Sequence, residues 1–190
     1  MKIDDLKEDL KRNSIYRVVN KYILANAPVC FNGDLDLILE LKEALARHFD
    51  VHVKEIEIVG SAKLGISLSE ERFGKPYCRQ SDIDLVLVSS QLFDRAWHDL
   101  LGLDRVHYRL IEKDRELLKE CYNTIHRGFI SPERLPADSS FGKWWWHIFS
   151  AVSSKSKYEN REIRGRLFKS WWFAEEYYSI QLAKLSKTGG

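Results

Sequence analysis

The sequence predicts an α+β domain, with a small mixed β-sheet flanked by helices and with helical N-terminal and C-terminal elements. Three observations carry this. Apolar residues recur at helical spacing through much of the first 50 positions. The period then changes to alternation over residues 55–59 (EIEIV). A second run, residues 82–88 (DIDLVLV), reads as the next strand. The 190 residues fit a single domain. Its expected parts are a helical stretch 1–50, a core motif 51–100, and a helical and strand portion 101–190.

Taken in order, residues 14–25 place Ile15, Val18, Val19, Tyr22 and Ile23 on one helical face. Pro28 and the pair Asn32-Gly33 then break the helical pattern. Residues 34–48 predict a second helix, capped by Asp34, with Leu35, Ile38, Leu39, Leu41 and Leu45 facing inward. Between the two strands lies a loop with Gly60, Gly65, Gly74 and Pro76. Residues 91–100 and 112–126 read as helices, the charged run 112–120 as a solvated face. Residues 131–143 hold Pro132, Pro136 and Gly142 and read as loop. Residues 161–168 alternate weakly, as a strand does. Residues 170–187 predict an amphipathic helix with Trp171, Ala174, Tyr178, Leu182 and Leu185 along one side.

Composition narrows the function classes. Hydrophobic residues make up 44% and charged residues 31%, an ordinary globular balance. A net charge of +2 does not suggest the uniform basic field of a dedicated duplex-DNA binder. The three cysteines, Cys30, Cys78 and Cys121, are far apart and form no CxxC pair, which argues against a cysteine zinc site. The charged N-terminus lacks an apolar core and is not expected to be a signal peptide. No apolar run approaches the ~18 residues of a membrane span. A cytoplasmic protein without membrane insertion is expected. The six histidines form no ligand pair at helical spacing. The final Gly189-Gly190 reads as a frayed end before it reads as a conjugation tail.

Residues 58–90 carry the chemistry. Asp82 and Asp84 stand at i and i+2 on a predicted strand, so their carboxylates leave one face. Two adjacent carboxylates repel unless a cation lies between them. Hard oxygen ligands suit Mg2+ or Mn2+. The strand then turns wholly apolar through Val88, so its acidic start must reach the surface at a cleft. Upstream, Gly60-Ser61 comes directly after the first strand, with Gly65 soon after. Glycine lets backbone N–H groups approach a phosphate, and the Ser61 hydroxyl adds a donor. Lys63 lies in the same turn, where it either adds a charge for the nucleotide or stays a solvated surface lysine.

Apolar–Gly-Ser-x-x-x-Gly and then Ser-Asp-Ile-Asp-Leu resembles the polymerase-β-like nucleotidyltransferase superfamily, over residues 55–90. More loosely, the whole chain is similar to small stand-alone bacterial members, some from toxin–antitoxin or antiphage defence loci. The resemblance implies the nucleotidyltransferase fold. It implies a metal-dependent transferase, with Mg2+ or Mn2+ as cofactor, that moves a nucleoside monophosphate from a triphosphate to a hydroxyl of a nucleic-acid end, a protein or a nucleotide. A partner protein from the same locus is also implied. Gly60 and Ser61 match the phosphate turn, and Asp82 and Asp84 the metal-binding acids. Members usually have about a dozen residues between Gly-Ser and the first Asp; here Gly60 and Asp82 are 22 positions apart, so the loop is lengthened, roughly over SLSEERFGKPYCR. A third acid comes from a later strand in the superfamily, which points to Glu162. On strand 161–168, Glu162, Arg164 and Arg166 share a face, and Arg164 is then a nucleotide ligand. The alternative for Glu162 is an ordinary ion pair on an exposed edge.

Two further readings stand beside the enzyme. One is a catalytically degenerate module of the same fold that senses nucleotides or neutralises a partner. The other is a nucleic-acid binder in which the tryptophans and Arg161, Arg164 and Arg166 form a groove. Trp171 is expected in the core. Of Trp144, Trp145 and Trp146, three in a row, at least one must be exposed.

Overall fold

The computed structural model describes residues 3–188, apart from the side chains of Glu70 and residues 185–188. The positions of Gly189, Gly190 and the Leu185 side chain therefore lie outside the described residues. Within them the chain is α+β, with eight α-helices and one four-stranded mixed sheet. No helix among the described residues is long and apolar enough to cross a membrane.

The helical start comprises α1 (Ile3–Arg12), α2 (Ile15–Val18) with a π-helical turn over Val19–Leu24, and α3 (Leu35–Phe49). Asp34 caps α3 by accepting from Leu37 N at 3.1 Å. Ile38, Leu41 and Leu45 are buried, but Leu35 and Leu39 face solvent, contrary to the expected inward stripe. The inward face of α3 is narrower because the same side already holds Ala44, Ala46 and Phe49.

Strand β1 (Ile56–Val59) runs straight into the short α4 (Gly60–Leu64). Strand β2 (Ile83–Val88) leads to α5 (Ser90–Asp104) and α6 (Glu112–Ile125). Asp114, on the run expected to be solvated, is buried and accepts from Ala137 N at 3.2 Å. A two-residue β3 (Phe129–Ile130) comes just before the stretch 131–143 read from the sequence as loop, the last four residues of which are the first turn of helix α7 (Ser140–Ser153). Strand β4 (Ile163–Phe168) and α8 (Trp171–Thr188) close the chain. The sheet order is β1-β2-β4-β3, with β2 and β4 parallel and both outer pairs antiparallel.

Both faces of the sheet are covered, which explains the near-continuous apolar run of β2. Ile83, Leu85 and Leu87 pack with α3, α5 and α7 around the fully buried Trp145. Gly165 lies on that side of β4, where an added Cβ would come within 2.4 Å of Phe149 Cζ. Val86, Val88 and Phe168 face the other way, under α2 and α8. Asp84 precedes Val86 on this second face, and Arg164 and Arg166 lie beside it on β4 in register with Asp84 and Val86. Asp82, just before β2, and Asp84 near its start thus border a cavity that is also lined by α8. Trp171 is exposed rather than core; among the described side chains of α8, Ala174, Ser179 and Leu182 are buried.

Candidate active site

The cleft opens at the end of β1 and the beginnings of β2 and β4. Its volume is about 620 Å³, within the usual range for small-molecule sites. Gly60 and Ser61 form one wall, Asp82 and Asp84 the floor, Glu133, Arg164 and Arg166 the opposite wall, and α8 a third side.

Gly60 has φ +64°, in the left-handed region that favours glycine. A Cβ placed on it would stand 3.1 Å from Asp84 Oδ2. The turn and the acid are therefore in near contact, paired across the antiparallel strands where Val59 faces Asp84. Ser61 is half-buried and lines the cleft.

Asp84 is open to solvent at the cleft floor, yet the walls surround it closely. This desolvation raises its carboxyl above the usual range; Arg166 opposes the shift and Asp82 adds to it. Asp82 Oδ2 lies 3.2 Å from Arg164 Nη1. Arg164 also donates to Glu162, from Nε at 2.9 Å and Nη2 at 2.7 Å. Arg166 donates to Ser131 Oγ at 3.3 Å and to the Tyr177 hydroxyl, which ties β4 to α8.

Glu162 does not line the cleft: both its oxygens are held by Arg164 and the carboxylate is mostly exposed at the rim. Glu162, the acid expected from the sequence to be the third of the site, thus stands at the rim behind Arg164, close enough for its charge to act on Asp84. The acid that lines the cleft with Asp82 and Asp84 is Glu133, on the 3-10 turn Pro132–Arg134. It accepts from Gly165 N at 3.1 Å, and desolvation raises its carboxyl too. Nothing local in the sequence marks Glu133. The pairing of β3 with β4 brings it there.

Lys63 is also corrected. It is fully buried, and its Nζ donates to Glu57 Oε1 and to Leu24 O, both at 2.8 Å. Glu57 pairs in addition with Lys42 at 2.9 Å. Lys63 thus fastens α4 to β1 and to the π-turn, and its ammonium does not enter the cleft.

The lengthened loop is an ordered hairpin. Gly65, at φ +79°, ends α4. Ile66 then bridges Pro76, Ser67 N donates to Lys75 O at 2.9 Å, and Tyr77 N donates to Gly65 O at 2.9 Å. Arg161 holds the far end: it is buried, donates from Nη1 to Cys78 O at 2.7 Å and to Ser81 O at 3.1 Å, and stacks on Tyr77 at 4.8 Å. Arg161 is thereby removed from any nucleic-acid groove. Of the tryptophans, Trp145 is core, Trp144 packs under Arg95 at 4.3 Å, and Trp146 is exposed; none lines the cleft.

Asp82 and Asp84 present hard oxygens on one face, the donor set that Mg2+ or Mn2+ takes. Among the described residues, no three His, Cys, Asp or Glu side chains are gathered closely enough to hold a metal ion as they stand. No family model, curated protein or solved structure matches this chain.

Proposed function

We propose that the chain is a metal-dependent nucleotidyltransferase with a polymerase-β-like fold. It transfers a nucleoside monophosphate from a nucleoside triphosphate to a hydroxyl acceptor. The observation that carries this reading is the near contact of the Gly60 turn with Asp84. That contact supports the reading because a left-handed glycine turn, a backbone suited to phosphate, stands beside carboxylates suited to a hard cation.

The roles rest on position. The N–H groups of the Gly60-Ser61 turn and the Ser61 hydroxyl donate to phosphate oxygens. Asp82 and Asp84 would hold Mg2+ or Mn2+, which lowers the pKa of an attacking hydroxyl and neutralises charge on a departing pyrophosphate. The acceptor oxygen attacks the α-phosphorus, the bond to the β-phosphate bridging oxygen breaks, and that oxygen leaves with the electron pair as pyrophosphate. Glu133, whose carboxyl is raised by its surroundings, is placed to take the acceptor proton. Arg164 exchanges Asp82 for a phosphate oxygen when substrate binds, since a bidentate guanidinium suits either anion.

The test is incubation with each labelled triphosphate and magnesium or manganese, and then a search for labelled protein, polymer or small product. Asp82→Asn and Asp84→Asn are each expected to reduce transfer by at least about a hundredfold with the fold intact. Near wild-type transfer by either variant refutes the assignment. One observation favours a second reading. Arg164 already supplies Asp82 with a positive charge at 3.2 Å, as a site without metal would require. A catalytically silent nucleotide-binding module would bind triphosphate in the same experiment and yield no labelled product.

A further inference from the structure

The hairpin between Gly65 and Cys78 has polar and charged side chains on the cleft side. Ser67, Ser69, Arg72 and Lys75 all line the cavity. Arg72 and Lys75 are exposed, and neither side chain makes an ion pair or hydrogen bond among the described residues. This sets them apart from the other cations of the cleft. Arg164 is engaged by Asp82 and Glu162, and Arg166 by Ser131 and Tyr177. Two free cations and two hydroxyls therefore face a cavity whose floor carries Asp82 and Asp84.

The hairpin is also well placed and held. It springs from the end of α4, five residues after Gly60, so it stands beside the phosphate turn. Its root is locked by the bond from Tyr77 N to Gly65 O and by the grip of Arg161 on Cys78 and Ser81. Gly74, at φ +78°, turns the chain near the tip, and an added Cβ there would meet Ile3 of α1. A wall whose backbone is fixed at both ends leaves only the side chains to be ordered on binding.

We propose that this hairpin is a polyphosphate clamp. In it Arg72 and Lys75, assisted by Ser67 and Ser69, bind the β- and γ-phosphates of the nucleotide and then the pyrophosphate that leaves. The clamp rests on the nucleotidyl-transfer reading and extends it to substrate selection. A triphosphate reaches the hairpin cations, whereas a monophosphate ends at the Gly60 turn. The ligand chemistry is a linear polyphosphate of high negative charge, recognised through charge-assisted hydrogen bonds.

Inorganic tripolyphosphate is the probe, titrated calorimetrically into the full chain with magnesium, beside orthophosphate. The double variant Arg72→Gln with Lys75→Gln is expected to bind tripolyphosphate at least tenfold more weakly. Its melting temperature should be unchanged, since both side chains are exposed and unbonded. A second double variant, Lys54→Gln with Arg105→Gln, removes the same charge from exposed positions outside the cleft and is expected to bind as wild type. The clamp is overturned if the hairpin variant keeps wild-type affinity, if the distant variant loses as much, or if the wild-type chain prefers orthophosphate. Asp82→Asn in the same titration reports on the metal acids separately. If it leaves the magnesium dependence unchanged while the hairpin variant still weakens binding, the metal assignment fails and the clamp stands.

Discussion

Glu57 and Lys63 allow a stability prediction that is asymmetric. Lys63 Nζ is fully buried and has two acceptors, Glu57 Oε1 and Leu24 O. Glu57 has two cations, Lys63 and Lys42. Removing the acid and removing the lysine are therefore unequal. Lys63→Met leaves Glu57 paired with Lys42 and fills the site with an apolar chain of similar length. It forfeits one hydrogen bond to Leu24 O, about 1 kcal/mol, and should cost about 1–2 kcal/mol in all. Glu57→Gln leaves a buried ammonium facing a second one. Stripping a buried charge of its counter-ion costs roughly 3–5 kcal/mol. The lower end applies here, because Leu24 O remains and the Glu57 side chain is 19% exposed.

Urea unfolding measures both variants. With a slope of about 2 kcal/mol/M, Glu57→Gln should lower the midpoint by roughly 1.5 M and Lys63→Met by about 0.5–1 M. The pH dependence supplies an independent check. Burial lowers the Lys63 pKa in the folded chain below its ordinary 10.5. Between the folded and unfolded values the unfolded chain binds more protons, so stability rises with pH in that window. Loss of Glu57 lowers the folded value further and widens the window. The Glu57→Gln deficit should therefore shrink as pH is raised from 7 toward 10. A Lys63→Met variant as damaged as Glu57→Gln, or a deficit that grows with pH, would refute the reasoning.

The cleft yields three more expectations. Gly60→Val forces a β-branched residue to φ +64° and pushes on Asp84 Oδ2, so a stability loss of about 1–2 kcal/mol should accompany at least a tenfold loss of triphosphate affinity by calorimetry; a folded variant that binds normally would count against the phosphate turn. Glu133→Gln should lower turnover about a hundredfold with triphosphate binding retained, whereas Glu162→Gln should change it only severalfold; steady-state rates that reverse this order would restore Glu162 as the third acid. Cys78 is exposed in the cleft wall and its thiol is held below the ordinary value by the Ser81 hydroxyl, while burial pushes Cys30 up to about 12 and Cys121 to about 11. Iodoacetamide should therefore label Cys78 alone in the native chain, more slowly with triphosphate bound, as peptide mass mapping would reveal.

The legible parts of the fold were those set by local pattern. Asp34 before an apolar-periodic run signals a helix start, and EIEIV and DIDLVLV signal strands whose acids and glycine meet at one end. Helix α7 also left a signal, because Phe141, Trp145, Ile148, Phe149 and Val152 fall at helical spacing and are its buried face. Three adjacent tryptophans and the prolines before them obscured that period. Other features were not local. Lys63 can be buried because a carbonyl of the π-turn, 39 residues earlier, accepts a hydrogen bond from its ammonium. Glu133 enters the cleft because a two-residue strand pairs with β4, and so short a strand has no periodicity to read. Glu162 comes just before β4, but both its oxygens are taken by the neighbouring Arg164, a pairing that the spacing of the strand does not announce.

The anchoring of the hairpin bears on how such a chain can diversify. Arg161 and the bond between Tyr77 and Gly65 fix its two feet without help from the segment between Ser67 and Lys75. Lengthening a loop whose ends are already fixed adds little entropic cost, about 0.6 kcal/mol for each doubling. Added length beyond the bonds between Ser67 and Lys75 would thus leave the two feet, and with them Asp82 and Asp84, where they are. The lining of the cleft on this side and the packing that holds the fold together are therefore separable.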